Sequence, residues 1–313
     1  MFQYTLDNKR YHTLNYYYKE KYGKKTCKIS LNGNFSCPNK KNGVGCIFCS
    51  KLGSGDFAGE KEKDLITQFE EIKRIMDKKW PNSNYIGYFQ ANTNTYAPVN
   101  ILKEKYEKIV ALPNVVGLNI ATRSDAITDE CYSYLEELNK KTDLTIELGL
   151  QSMHEKTLKF IKRGHTLENF EKAVKRLQSL NIKVVVHIIN GLPGETKEDM
   201  LKTVCYLNNL HIDGIKIHML HILKDTELYE LYKKEKFPIL TKEEYIDIVI
   251  AELEELDPKI VIHRITGDPK KEDLIAPTWL LKKTILLNDI DKEMVRRNTY
   301  QGKNLEKKEN KTC

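Results

Sequence analysis

No stretch of this 313-residue chain approaches the ~18 consecutive apolar residues that cross a bilayer, and the mean hydropathy is -0.53. The first residues, Met1-Phe2-Gln3-Tyr4-Thr5-Leu6-Asp7, lack the apolar core of a secretory signal. A membrane span and export are therefore not expected, and a reducing cytoplasmic setting is. Ligand spacing is also scarce among the seven cysteines. Cys131 and Cys205 fall in helical patterns and read as packed thiols, Cys313 stands alone, and no cysteine group is available for a second cluster.

What remains is one concentrated signal, Cys37-Pro38-Asn39-Lys40-Lys41-Asn42-Gly43-Val44-Gly45-Cys46-Ile47-Phe48-Cys49. A glycine-containing loop returns one thiolate to a Cys-x-x-Cys pair, and soft thiolates on a short loop suit an iron–sulfur cluster or zinc. Three ligands on a four-iron cube leave one iron open to chelate the amino and carboxylate groups of a small molecule. The alternative is a closed zinc site with Cys27 as fourth ligand. Cys27 sits in the strand-like Thr26-Cys27-Lys28-Ile29-Ser30-Leu31, outside the paired spacing of most zinc sites. Spacing alone leaves both readings open.

Beyond the loop, helix and strand patterns alternate. Leu65, Phe69, Ile72 and Met76 recur at helical spacing ahead of the strand Tyr85–Phe89; Leu102, Tyr106 and Ile109 precede Val115–Ala121. Thr128 can cap a helix leading to Leu144–Gly149; Phe170, Val174 and Leu177 lead to Val184–Ile189; Thr196 caps a helix leading to Ile215–Met219. Strict alternation favours parallel strands, which need a crossover between neighbours. With Lys28 to Leu31 as the first strand, the expected fold is α/β, a partial (β/α)6 TIM-type barrel with N-terminal and C-terminal extensions. A doubly wound open sheet is the runner-up. In either, chemistry belongs at the C-terminal strand ends, where the cysteine loop falls. The expected parts are a basic extension over 1–25, a core barrel over 26–222, a C-terminal extension over 223–296 that closes the barrel, and a disordered tail over 297–313.

The flanks carry charge. Residues 1–28 hold seven Lys or Arg against two acidic residues, interleaved with six tyrosines, a composition that suits phosphate neutralisation and base stacking or, equally, a solvated extension packed on the barrel. The overall charge of +7 allows RNA, acidic metabolites or neither.

Taken together, the cysteine triplet after the first strand, Phe48 just before its last member, Glu147-Leu148-Gly149-Leu150-Gln151-Ser152 at the fourth strand and Gly191-Leu192-Pro193-Gly194-Glu195-Thr196 after the fifth resemble the radical S-adenosylmethionine (SAM) superfamily. The likeness runs from about residue 25 to 220, toward the branch holding the Elongator catalytic subunit and the oxygen-independent coproporphyrinogen oxidases. Tyr88-Phe89-Gln90-Ala91-Asn92-Thr93-Asn94-Thr95-Tyr96-Ala97-Pro98 and His263-Arg264-Ile265-Thr266-Gly267-Asp268 resemble its YtqA/MnmL-type bacterial members. The spacing from Cys37 to Cys46 is longer than the superfamily's common one.

The resemblance implies a [4Fe-4S] cluster on Cys37, Cys46 and Cys49, SAM on its open iron, and a 5′-deoxyadenosyl radical that removes a substrate hydrogen atom. It implies SAM contacts from Phe48, Gln90, Thr93 and Thr95 in the loop after strand two, Gln151 and Ser152, Arg163 to the carboxylate, and Gly191 near the adenine. Arg123 belongs with them, beside Asp125, and His187 stands where the branch has an acidic ribose contact. Lys216 and His218 share one strand face, opposite Ile215, Ile217 and Met219; with His221, Arg264 and Asp268 they are the substrate-side candidates, although Arg264 and Asp268 could equally form a structural ion pair. The implied reaction is on wobble uridine of tRNA, converting 5-carboxymethylaminomethyluridine to 5-aminomethyluridine, with a reductase or a flavodoxin or ferredoxin as electron donor and a downstream methyltransferase as partner. With no acetyltransferase-sized region after residue 220, an Elongator-like two-domain transfer is not expected. The alternatives are a radical SAM enzyme for a small acidic metabolite such as a tetrapyrrole, and a zinc-stabilised RNA-binding module without catalysis.

Overall fold

A computed structural model describes residues 7–40, 45–50, 53 and 57–309. Its centre is a curled parallel sheet in the order β1-β2-β3-β4-β5-β6-β8, formed by β1 (Thr26–Leu31), β2 (Asn84–Phe89), β3 (Val115–Thr122), β4 (Asp143–Gln151), β5 (Lys183–Asn190), β6 (Gly214–Met219) and β8 (Val261–Arg264). The crossover helices are α2 (Leu65–Lys79), α3 (Val99–Val110), α4 (Asp129–Asn139), the pair α5 (Glu155–Phe160) and α6 (Leu167–Ser179), and α7 (Lys197–Asn209). Before them lies α1 (Leu14–Tyr22). After them come β7 (Ile222–Leu223), α8 (Glu227–Lys234), α9 (Lys242–Glu255), β9 (Leu274–Ala276), α10 (Lys283–Arg296) and α11 (Lys303–Glu309). The six expected units are present as a half-barrel, and the C-terminal extension adds a seventh strand, β8, beside β6.

Local chemistry explains the element starts. Helices α1, α4, α6, α7, α8 and α9 each begin after a threonine whose hydroxyl accepts a backbone N–H of the first turn, and each such cap contributes about 1 kcal/mol. Thr166, Thr196 and Thr241 form reciprocal boxes with Asn169, Asp199 and Glu244. The outward strand faces are apolar: Leu144, Ile146 and Leu148, then Val184, Val186 and Ile188, then Ile215 and Ile217 pack in one core with Phe170, Val174, Leu177, Val204 and Leu207 of the helices. Each fully buried side chain of this kind contributes roughly 1.5–3 kcal/mol.

One expectation about the ends is corrected, and one of two open readings is met. Residues 297–309 are not a disordered tail: Thr299 and Gln301 are buried and α11 follows. The Gln301 amide donates to Asp257 O (2.8 Å) and Ile260 O (2.9 Å) and accepts from His12 N (2.8 Å), so a polar side chain satisfies backbone groups that would otherwise be buried unpaired. Composition had hidden this use; residues 310–313 lie outside the described residues. The described part of the basic, tyrosine-rich flank packs on the barrel, one of the two readings its composition allowed, and residues 1–6, Tyr4 among them, lie outside the described residues. Tyr11 and Tyr18 are buried, Lys9 pairs with Asp291, Lys21 and Tyr22 bind Asp143, Arg10 donates to Thr299 O, and Lys25 donates to Asn15 and lies over Trp80. Its partners Asp143 and Ile262 are at or near strand starts, so α1 covers the end of the barrel opposite the cysteine loop. Among the described residues, no helix is long and apolar enough to cross a membrane.

Helix α9 buries Glu252 completely, with Asn190 Nδ2 donating to Oε2 at 2.8 Å and Oε1 lacking a partner among the described residues. Burial lifts this carboxyl from the usual 4.5 to about 8. The folded state then keeps a proton that the unfolded chain releases, so stability falls as pH rises through that window. Glu252→Gln is expected to gain stability over the parent by about 1 kcal/mol or more between pH 5 and pH 8, measured by urea unfolding at both; an unchanged difference would mean Glu252 is ionised in the fold.

Candidate active site

Alternation along each strand sends the other set of side chains inward, and here that set is polar. Glu147 of β4 is fully buried at its centre. Its Oε1 accepts from Lys28 Nζ (2.8 Å) of β1 and Asn119 Nδ2 (2.7 Å) of β3, and its Oε2 meets His187 Nε2 (2.8 Å) of β5 and Lys216 Nζ of β6. Lys216 also donates to Tyr88 Oη of β2 (2.9 Å), and Lys28 approaches His263 Nδ1 of β8 (3.2 Å). Every strand of the half-barrel thus supplies one member of a single layer. Burial alone would push Glu147 up, but Lys216 and Lys28 hold it well below the usual carboxylate range. Burial brings Lys216 down to about 7 despite Glu147, and burial with Lys216 nearby brings His187 to about 4, so this imidazole is neutral at neutral pH.

Above this layer, at the C-terminal strand ends, a cavity of about 170 Å³ is lined by Cys37, Cys46 and Cys49 together with Gln90, Gln151 and Arg163. The cysteine loop is held from outside. Ile47 donates its N–H to Ile161 O (3.1 Å), accepts at its O from Leu228 N (2.8 Å), and buries its side chain among Leu158, Ile161, Leu192, Leu220, Ile222 and Leu228. Asn39 Nδ2 donates to Lys162 O (2.8 Å) and toward Cys46 Sγ (3.5 Å), and a Cβ at Gly164, whose φ is +79°, would run into Asn39. A hydrogen bond from Cys49 and the nearby Arg163 and Arg123 guanidiniums bring the Cys46 thiol down to about 5 against the effect of burial; the same shared hydrogen bond, with burial, pushes Cys49 well up. A thiolate is therefore already favoured beside two cations, the electrostatic setting an anionic thiolate-bound cluster needs. Among the described residues no three His, Cys, Asp or Glu side chains converge on a single-ion site. Cys27 does not join the triplet. It lies on the outer face of β1 in the hydrophobic core, lining a separate cavity with Tyr11 and Trp80, and so gives no closed zinc set.

The other expected residues divide cleanly. Phe48, Gln90, Thr93, Arg123, Gln151, Arg163, His187, Lys216, His218 and Arg264 all line the cysteine cavity. Gln151 holds φ +74° at the bulged end of β4, an uncommon state for a side chain larger than glycine, and Arg163 Nη2 is fixed by Gly149 O at 2.7 Å. Arg123 chelates Asp125 (2.9 and 2.8 Å) and donates to Arg163 O (2.7 Å), which locks the two arginines together. Thr95, Ser152 and Gly191 are set back from the cavity. Thr95 Oγ1 bonds Thr122 Oγ1 and Ala126 O (both 2.6 Å), Ser152 bonds Glu195, and Gly191 N–H meets Met200 Sδ (3.3 Å). They brace the loops, because Thr95 Oγ1, Ser152 Oγ and Gly191 N each have a protein partner. His221 and Asp268 line an outer cavity of about 660 Å³ that also touches Gln90, His218 and Arg264. Asp268 takes Lys283 (2.7 and 2.6 Å) and Arg264 (3.2 Å), the structural ion pair that the motif allowed.

Residues not singled out as functional from the sequence are Lys28, Tyr88, Asn119, Glu147, His263 and Asn39, with Lys40, which lines the cysteine cavity and donates to Asn92 Oδ1 (3.3 Å). The signal for the strand members was present: each is a polar residue at the inward phase of an otherwise apolar strand, a test applied only to Lys216 and His218.

The model of the radical SAM superfamily matches residues 36–207, and that of the Radical_SAM C-terminal domain matches residues 212–296. The chain belongs to the radical SAM superfamily, whose members use a [4Fe-4S] cluster and SAM. It is 47% identical over 305 residues to the uncharacterized protein YtqA of Bacillus subtilis, covering 96% of this chain and 95% of that one. A tRNA uridine(34) acetyltransferase of Methanocaldococcus infernus is 33% identical over 154 residues, covering 47% of this chain and 28% of the relative. Among solved structures, the archaeal Methanocaldococcus infernus Elp3 superposes with a TM-score of 0.67 at 19% identity over 88% of this chain, which spans 64% of that one, and it supports the half-barrel fold.

Removing Glu147 leaves Lys28 and Lys216 buried without their counter-charge. Glu147→Ala is expected to lower stability by about 3–5 kcal/mol, and Glu147→Gln, which keeps hydrogen bonding but not charge, by less. Urea unfolding of both checks this, and equal, small losses would show that the layer tolerates an unbalanced charge.

Proposed function

We propose that this enzyme uses its radical chemistry on a wobble uridine of tRNA, taking 5-carboxymethylaminomethyluridine to 5-aminomethyluridine, with SAM as the two-electron oxidant and water releasing the two-carbon unit as glyoxylate. The observation that carries the reading is the 33% identity over 154 residues to a tRNA uridine(34) acetyltransferase, while the Elp3 likeness supports a shared fold. Cys37, Cys46 and Cys49 hold the [4Fe-4S] cluster in this reading, with Arg163, Gln151, Gln90 and Thr93 around SAM. When bound, these cofactors supply one-electron cleavage of the sulfonium and hydrogen-atom abstraction from the substrate.

The chain's own residues do the rest. Arg123 and Asp125 fix Arg163 so that a carboxylate meets a preset guanidinium; Phe48 and Tyr88 wall the cavity; and the buried Glu147 layer forms a rigid floor beneath the reacting groups. Substrate enters from the C-terminal face. The N-terminal flank, engaged at the other end, is not the RNA contact in this reading. An outside electron donor, a flavodoxin, ferredoxin or reductase, and a methyltransferase consuming the amine complete the proposed setting in a reducing cytoplasm.

Anaerobically reconstituted protein with SAM and a one-electron reductant is expected to bind about four irons and to convert the modified uridine in purified tRNA, followed by nucleoside mass spectrometry. Alanine at Cys37, Cys46 or Cys49 should abolish both SAM cleavage and conversion, while Cys131→Ala should affect stability at most. SAM cleavage without any change in the tRNA would favour a small acidic metabolite as substrate, and retained zinc in place of iron would overturn the enzyme reading.

A further inference from the structure

Three cavities open on the C-terminal face: the cysteine cavity, the outer cavity of about 660 Å³, and a third of about 190 Å³ that touches Phe48, Cys49 and Gln151. His218 lines all three. Its Nε2 is buried and, among the described residues, has no hydrogen-bond partner, although the His187 ring lies only 5.2 Å away. A buried polar nitrogen at the meeting point of three cavities is costly unless a bound molecule satisfies it.

Arg264 stands beside it. β8 pairs Arg264 with Lys216 of β6, so its side chain reaches both the cysteine cavity and the outer one. Among the described residues its one ion pair is Nη2 to Asp268 Oδ2 at 3.2 Å, and Lys283 already meets both oxygens of that carboxylate. A guanidinium has five N–H donors in a fork that matches a carboxylate. The outer cavity is lined by Lys28, Arg264, Lys283 and Asp268; Lys28 already serves Glu147 and Lys283 serves Asp268, which leaves Arg264 as the cation set to meet an anion, and one wall is apolar, formed by Ile72, Met76, Leu280 and Leu281. Such a space takes a flat ring against its wall and an anionic group toward its inner end.

Resting on the tRNA reading above, we propose that Arg264, with His218 beside it, selects the substrate by binding the carboxylate of the base substituent while the apolar wall takes the face of the base. The position of Arg264, half-buried with one end in the cysteine cavity, favours this over a backbone phosphate. It lines the cysteine cavity itself, where the reacting substituent must lie, whereas the sugar–phosphate chain stays outside. His218 supplies one neutral hydrogen bond, matched to the amine nitrogen next to that carboxylate.

The test compares two tRNA preparations, one bearing 5-carboxymethylaminomethyluridine and one in which the same carboxylate is converted to its methyl ester. Binding is read by filter retention over a salt series, and KM and kcat are read by nucleoside mass spectrometry. The parent is expected to prefer the acid by about tenfold or more in KM, the range of a charge-assisted hydrogen bond. Arg264→Gln should erase that preference by weakening the acid and sparing the ester. Asp268→Asn, which removes the competing carboxylate and keeps Arg264, should retain or increase it. Opposite responses of these neighbours are not produced by simple misfolding, which would lower both substrates in both variants. Equal loss for acid and ester in Arg264→Gln, with a flatter salt dependence, would make Arg264 a phosphate contact and overturn the proposal, as would a preference that survives Arg264→Gln or a parent that converts acid and ester alike. A parent that acts on neither tRNA overturns the tRNA reading and this assignment with it.

Discussion

Glu147 is the constraint around which the half-barrel is organised. A curled sheet of seven strands has two free edges, and its concave face must be filled or wetted. Here one carboxylate gathers ammonium groups from β1 and β6, an amide from β3 and an imidazole from β5, so strands far apart in the sheet order meet at a single pair of oxygens. Desolvating that many charges is costly, and an ion pair of this kind is poor evidence of net stability. Its value lies in specificity: every lone pair of Glu147 and most donors around it have one assigned place, so the curvature of the sheet has one satisfied solution.

The same layer divides the molecule by function. Below it α1 with Tyr18 and the segment holding Thr299 and Gln301 complete the far end of the barrel; above it the cysteine loop, Gln151 and Arg163 face a common cavity. The upper loops are stiff where the chemistry needs fixed geometry. Ile47 is clamped by α5 and α8, Arg163 by Gly149 and Arg123, and Asn94 ties the loop after β2 to Ala121 at 2.7 Å. The Gln90–Thr95 stretch is accordingly split, with Gln90, Asn92 and Thr93 facing the cavity and Asn94 and Thr95 turned inward as loop braces.

The strand and helix alternation was legible because apolar residues at period two and at helical spacing are a direct record of burial on one side. That made β1 to β6 and the caps at Thr128 and Thr196 readable, while the place of Gln151 and Arg163 beside the three cysteines came from the family resemblance. What was not legible depended on partners distant in the chain. Glu147 has no special local context; its role exists only once Lys28 and Lys216 arrive from strands separated by most of the barrel. Gln301 looked like part of a polar tail because nothing near it in sequence records the carbonyls of Asp257 and Ile260. The lysines and tyrosines of the flank read equally well as an RNA surface, since composition counts charges without showing that Asp143 and Asp291 already neutralise some of them.

The seam formed by His12, Thr13, Ile262 and Gln301 joins residues almost three hundred positions apart. Contacts of such sequence separation bear the largest loop-closure entropy and form late. During synthesis β1 to β6 can assemble while β8 is still absent, leaving the Lys216 edge of the sheet unpaired and Arg264 not yet beside the cysteine cavity. The wall that Arg264 gives the cysteine cavity is therefore the last part of it to exist, so an unfinished chain can bring its three thiols together in a cavity still open on the β8 side.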